Sequence, residues 1–199
     1  FKDFFDTGWS VSNSLQLSGK IGKKNSIRLT LTDNRKSGMI PNTPSDNQFI
    51  SVKSSNMLKD WMKMEVALNY RRQRFDNIPT ISGYGSTSLM TALWGYAPNT
   101  DMEWAKSYWL DESISRQDNT IATKNNPYFL VYQCINDQLK NRVYGNLKFD
   151  FDITKDLSLM VRAGLDNSVE RRSQRQATST ESRPEGYYRE QDITSNQYT

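Results

Sequence analysis

Between Asn141 and Ile153 the chain alternates apolar and polar residues without interruption. Val143, Gly145, Leu147, Phe149, Phe151 and Ile153 fall on one side of an extended strand, and Arg142, Tyr144, Asn146, Lys148, Asp150 and Asp152 on the other, because strand side chains point alternately to opposite faces. A strand this long exceeds the roughly five or six residues usual in soluble sheets. The pattern asks for one dry side and one wet side. Whether the dry side meets a protein core or lipid decides what the chain does.

The same period recurs and gives about six strands in three hairpins. The first two run over Trp9–Ile21 and Ser26–Asn34, with Val11, Leu15 and Leu17 sharing a face in one and Ile27, Leu29 and Leu31 in the other. With Lys23, Lys24 and Asn25 as the loop, Ile21 is expected opposite Ile27. The third, Gln48–Leu58, is weaker, because Ser54 and Asn56 dilute the face of Ile50, Val52 and Leu58. The fourth, Met62–Phe75, sets Met62, Met64, Val66, Leu68 and Tyr70 against Lys63, Glu65, Asn69 and Arg71. The fifth is the opening run. The sixth, Leu157–Arg171, puts Leu157, Leu159, Val161, Ala163 and Leu165 on one face. Only Thr154, Lys155 and Asp156 separate these two, and residues flanking a three-residue hairpin loop face the same way, so Ile153 should pair with Leu157. Both are apolar, and the register is internally consistent.

Two turns are near-copies, Leu58-Lys59-Asp60-Trp61 and Thr154-Lys155-Asp156-Leu157. The connections at the opposite ends, Arg35–Asn47, Asp76–Asp137 and Ser173–Glu185, are much longer. Short turns at one end and long loops at the other is the asymmetry of outer-membrane barrels. The longest connection should carry structure of its own. Leu89, Met90, Leu93 and Trp94 are spaced for a short helix within Ser86–Gly95, with Ser86, Thr87 or Ser88 as N-cap, and Asn126–Ile135 suits a second turn or short helix.

Composition narrows the function. The 199 residues are 36% hydrophobic, with a mean hydropathy of -0.77, and no segment reaches the 18 or so apolar residues of a membrane helix. Membrane β-strands escape that criterion, being half polar. There is no histidine, which removes Ser-His-Asp and Cys-His catalysis, and Cys134 is the single cysteine. No catalytic constellation, metal site or cofactor motif emerges. The net charge of +4 is spread among acidic residues, which argues against a nucleic-acid partner. The chain opens on Phe1 and ends at Thr199 in a new extended segment, and reads as an internal piece of a longer protein.

An antiparallel sheet with one apolar face also describes a soluble glycan-binding β-sandwich. Three features favour lipid. The fourth, fifth and sixth strands are long enough to cross a bilayer at a tilt. No charge interrupts the apolar faces at Met62–Tyr70, Val143–Ile153 or Leu157–Leu165, where an Arg or Lys at mid-bilayer would cost roughly 2–4 kcal/mol. The opposite faces carry Arg142, Lys148, Asp150, Asp152, Arg162 and Asp166 freely, as a watery or plugged lumen permits. Met64, Val66, Leu68, Val143, Leu147, Phe149, Phe151, Leu159, Val161 and Leu165 are therefore expected to face lipid.

The motifs fit together in order. Thr7-Gly8-Trp9, Ser12-Asn13 and Leu15-Gln16-Leu17-Ser18-Gly19, then Ser37-Gly38-Met39-Ile40-Pro41-Asn42, the Leu58-Lys59-Asp60-Trp61 turn, Asn126-Pro127-Tyr128 and Arg142-Val143-Tyr144-Gly145-Asn146 resemble successive segments of SusC/RagA-type TonB-dependent outer-membrane transporters of Bacteroidota. The resemblance spans essentially the whole chain, residues 1–199. It implies an all-β, antiparallel up-and-down meander that forms part of a large outer-membrane barrel, with short helices in a long extracellular loop. It further implies import of oligosaccharides or peptides, a SusD-like surface lipoprotein as lid, and drive by TonB–ExbB–ExbD through a plug. Neither plug nor TonB box is found in these residues. An outer-membrane enzyme or adhesin barrel is a further alternative.

Trp94, Tyr96, Trp104, Tyr108 and Trp109 make the long loop aromatic. They are candidates for contact with sugar rings, substrate or the lid protein; the simpler reading is that they hold the loop together. Asp101, Glu103, Asp111 and Glu112 lack calcium-loop spacing and read as a solvated acidic loop. Arg71, Arg72, Arg74, Arg171, Arg172 and Arg175 cluster at strand ends, to meet lipopolysaccharide or simply water. Trp9, Trp61 and Tyr70 are candidates for the aromatic girdles of a barrel.

Overall fold

The computed structural model describes residues 2–81, 87–119 and 124–199. In chain order the strands are β1 (Trp9–Ile21), β2 (Asn25–Ser37), β3 (Pro44–Lys59), β4 (Met62–Phe75), β5 (Trp109–Asp111), β6 (Arg116–Gln117), β7 (Cys134–Asp152), β8 (Ser158–Gln176) and β9 (Tyr187–Tyr198). Seven form one sheet in the order β1-β2-β3-β4-β7-β8-β9, while β5 and β6 form a separate two-stranded ladder. Every neighbouring pair in the large sheet is antiparallel. This is an all-β up-and-down meander.

The registers sort the side chains. Leu17, Leu29, Val52, Leu68, Gly145 and Leu165 lie in one continuous cross-strand row. Below it Val66 is level with Leu147, Met64 with Phe149 and Val161, and Met62 with Phe151 and Leu159. The row above Leu68 holds Leu15, Leu31, Ile50, Tyr70 and Val143. Then the face turns polar, with Asp33, Gln48, Arg72 and Asn141 level, followed by Arg35, Asp46, Arg74 and Arg171. From Trp61 to Tyr70 is about 30 Å along the strand, or about 24 Å across a membrane once tilted, close to the ~25 Å apolar band of outer-membrane barrels.

The sheet is curved toward its polar side. One trough of about 780 Å³ runs along that face, and Gln16 on β1 and Gln197 on β9 both line it. In a flat sheet, six strand spacings would separate them by about 29 Å. The polar face is concave and the apolar face convex. No second sheet covers the apolar face among the described residues, contrary to a sandwich.

The short turns also form a staircase. Ile27 is level with Ser54 and Val66, so Lys23, four residues earlier, is level with Met62. Phe151 is level with Met62, so Lys155, four residues later, lies four levels lower, and the middle turn at Asp60 falls between. The step is about one residue per strand, which at ~3.3 Å rise and ~4.8 Å spacing is a slope of about 35°. Strands in membrane barrels tilt by about 35–45°.

Several boundaries differ from the sequence expectation. The sheet has a seventh strand, β9. In the first hairpin Ile21 pairs with Asn25 and Ile27 with Gly19, so the loop is Gly22-Lys23-Lys24, with Gly22 at φ 68° where a side chain would strain the backbone. The shift is two residues, which preserves the shared apolar face. Ile153 does meet Leu157, donating its N–H to the Leu157 carbonyl at 2.9 Å. β2, β3, β7 and β8 run further toward the long connections than expected. Their extensions are mostly polar, with Cys134, Ile135 and Leu139 as exceptions on β7, and pairing continues there without the strict alternation that one dry face enforces.

The buried core lies outside the sheet. The connection from β4 to β7 forms α1 (Leu89–Trp94), α2 (Met102–Ala105) and α3 (Pro127–Gln133). Ser88 caps α1 and Asn126 caps α3, where Pro127 needs no partner for its missing N–H; Ser86 lies outside the described residues. Phe4 from the N-terminal turn packs with Leu89, Leu93, Met102, Tyr128 and Val131, and its ring meets that of Tyr128 edge-on at 5.0 Å. The result is a small compact cap on one end of the sheet.

Candidate functional site

Three surfaces are candidates: the convex band, the concave trough and the cap. On the convex band the ten residues expected to face lipid all share one face, and none is buried. Leu68 is 50% exposed, Leu159 49% and Leu147 38%. Trp61 marks the turn margin, with Phe151 6.2 Å away and the Lys59 ammonium 5.4 Å from its ring. Tyr70 marks the opposite margin, its hydroxyl 2.9 Å from Asn141 Oδ1. Charged residues beyond that margin pair with one another: Arg74 with Asp76 at 2.6 Å and Arg171 with Asp192 at 3.2 Å. The arginine cluster divides by parity. Arg72, Arg74, Arg171 and Arg175 take the convex side, while Arg71 and Arg172 point inward, to Asn47 at 2.8 Å and to Glu170 respectively.

The trough is mostly polar, with Phe49, Ala67 and Leu165 among its lining. Gln16, Thr30, Ser51, Asn69, Tyr144 and Asn146 line its middle. Arg142 holds Asp166 through two hydrogen bonds and lies 4.7 Å from the Tyr144 ring. Near the cap, the buried Glu170 carboxylate is satisfied by Gln138 at 2.7 Å, Lys140 at 3.2 Å and Arg172.

The cap separates the five loop aromatics. Tyr96 is in the core, where burial and the Asp118 carboxylate push its phenol up to about 12. Tyr108 and Trp109 are half-buried against Phe129, with ring centroids at 6.3 and 5.4 Å. Trp94 and Trp104 are exposed, at 74% and 46%. Asp101 and Asp111 direct their carboxylates to backbone N–H groups of Glu103 and Ser113, both at 3.0 Å.

Buried and partly buried amides hold the cap together. Asn42 and Asn77 both donate to the Val131 carbonyl, at 2.7 and 3.0 Å. Gln117 donates to Asn125 at 2.8 Å and to the Ser179 carbonyl. Asn126 caps α3 and also donates to the Ala105 and Asp118 carbonyls, at 3.0 and 3.2 Å. Three connections, β2–β3, β4–β7 and β8–β9, are thereby tied into one body. Asn126 carried a sequence signal as the start of the Asn126–Ile135 turn or short helix, and Asn42 closed the Ser37–Asn42 motif; Asn77 and Gln117 carried none.

No protein-family model matches the chain, and no curated protein is significantly similar. Among solved structures, the fold is similar to one in the RagAB peptide importer in the 'closed-closed' state, with a TM-score of 0.70 and 16% sequence identity over 97% of this chain. The chain spans 21% of that protein's chain. The likeness is one of fold.

Proposed function

We propose that this chain forms part of the wall and mouth of an outer-membrane nutrient importer of SusC type. The uncovered convex band carries the reading. It is apolar over one bilayer thickness, charged beyond one margin and closed by short turns at the other, and its strands step at the slope of a tilted barrel. An apolar surface this extensive on a sheet has to be covered, and the described residues supply no layer to cover it. Backbone groups at the free edges of β1 and β9 would each cost several kcal/mol in hydrocarbon, so the complete polypeptide closes the barrel on both sides.

The cap then stands at the outer mouth, away from lipid. Its exposed Trp94 and Trp104 suit docking of a SusD-like surface lipoprotein or contact with cargo, and TonB–ExbB–ExbD supplies energy through a plug. The neighbouring fold belongs to a peptide importer, and the amide- and hydroxyl-lined trough suits a peptide backbone; an oligosaccharide is the second candidate cargo. The test uses cells producing the full-length protein. It should fractionate with the outer membrane, co-purify with a surface lipoprotein, and support energy-dependent uptake of labelled oligopeptides. Fractionation with soluble proteins would overturn the reading; uptake of oligosaccharides in place of peptides would change only the cargo.

A further inference from the structure

Outward of the apolar band, the two faces of β8 and β9 treat charge differently. Arg171 lies on the convex face, where Asp192 at 3.2 Å and Glu190 at 3.6 Å neutralise it. Arg189 lies on the concave face, and among the described residues no carboxylate is within ion-pair distance of it. Its side-chain hydrogen bond is a long one, Nη2 donating to Gln191 Oε1 at 3.4 Å. Arg189 borders a pocket of about 390 Å³, within the roughly 300–1,000 Å³ of ligand sites. Two cross-strand rows build the pocket wall: Gln138, Arg172 and Gln191 are level, and so are Asn136, Gln174 and Arg189. Ile78, from the connection after β4, closes one side, its carbonyl accepting from Asn136 Nδ2 at 3.0 Å.

The acids nearby are engaged. Asp137 accepts from Ser173 Oγ at 2.7 Å. Glu170, one row below, is held by Gln138 at 2.7 Å, Lys140 at 3.2 Å and Arg172. Arg172 uses its Nε for that contact, and its two terminal nitrogens make no hydrogen bond among the described residues. Diagonal neighbours on adjacent strands are about 7–8 Å apart, so both guanidinium groups can reach one carboxylate.

We propose that Arg189 and Arg172 form a carboxylate-binding subsite at the mouth, which selects acidic oligopeptides as cargo. Guanidinium groups match the planar geometry of a carboxylate. The amides of Gln174 and Gln191 supply donors and acceptors for the adjoining peptide groups. A concave site of one charge sign also concentrates oppositely charged solutes. The subsite rests on the importer reading and adds to it the sign of the cargo's charge.

Uptake by cells producing the full-length protein tests the subsite. The probes are labelled, C-terminally amidated oligopeptides in two series, identical except for Glu or Gln at the same positions. The Glu series should enter with the lower half-saturating concentration. Arg189→Gln should raise that concentration about tenfold, as the loss of one charge-assisted hydrogen bond does. The maximal rate and the uptake of the Gln series should not change. Arg189→Lys should keep part of the preference, and Arg189→Glu should reverse it. Equal uptake of both series by the unaltered protein, or an equal loss of both in Arg189→Gln, would overturn the subsite. A charge preference confined to acidic oligosaccharides would overturn its assignment to peptides. Uptake of neither peptides nor oligosaccharides by protein with normal heat-modifiable migration would instead overturn the importer reading on which the subsite rests.

Discussion

Gly145 and Gly19 both lie on the convex face, yet they meet different surroundings. A Cβ at Gly145 would collide with the Ala67 carbonyl and come within 3.1 Å of Leu68 Cα, whereas nothing lies within 4 Å of one at Gly19. Gly145→Val should therefore lower stability by roughly 1–3 kcal/mol, as overpacking does, and Gly19→Val far less; the temperature of the gel-mobility shift of the assembled barrel compares them. Tyr96 makes a second prediction at this scale. Its phenol stays protonated to about 12 in the folded cap, against about 10 in an unfolded chain. The unfolded state therefore loses its proton first, so the stabilisation is complete below about pH 10 and is lost as pH rises through about 12. The cap should loosen across that window, measured by protease cutting of the β4–β7 connection, and Tyr96→Phe should remove the tyrosine-linked part of the transition.

Elements show where the sequence was readable. β1 and β4 have the expected limits because alternation is strictest where one face is dry and the other wet. β7 and β8 outran expectation because their outer thirds, such as Asn136–Lys140 beside Glu170–Gln174, carry polar side chains on both faces, Glu170 buried among them, and so show no strict period. α2 and the amide ties of the cap were not legible: Asn77 and Gln117 look like ordinary loop residues, and the motif that holds Asn42 does not show its tie to Val131, until three connections converge on them. Tyr96, which resembles its loop neighbours Trp94 and Trp104 in the sequence, proves to be core. The amide ties make their own prediction. Asn126→Ala removes a helix cap and leaves the Ala105 and Asp118 carbonyls without that donor, a loss of about 1–3 kcal/mol. The cap should become protease-sensitive while the barrel's heat-modifiable migration persists.

At the scale of the whole molecule, three features of the sheet bear on the proposed membrane setting. Among the described residues its buried core sits in the cap, its convex face is uncovered, and its two edges are unpaired. Lipid on one side, polypeptide or water on the other, and further strands at both edges resolve all three conditions together. The most direct test compares neighbours on opposite faces of β7 in the full-length protein. Leu147 is level with Val66, midway down the apolar band, while Asn146 is level with Ala67 and lines the trough. An arginine at the middle of the lipid face costs roughly 2–4 kcal/mol, and one on the lumen side much less. Leu147→Arg should sharply reduce heat-modifiable, membrane-assembled protein, with Asn146→Arg close to wild type. Equal effects of the two, or a greater loss with Asn146→Arg, would contradict the assignment of the convex face to lipid.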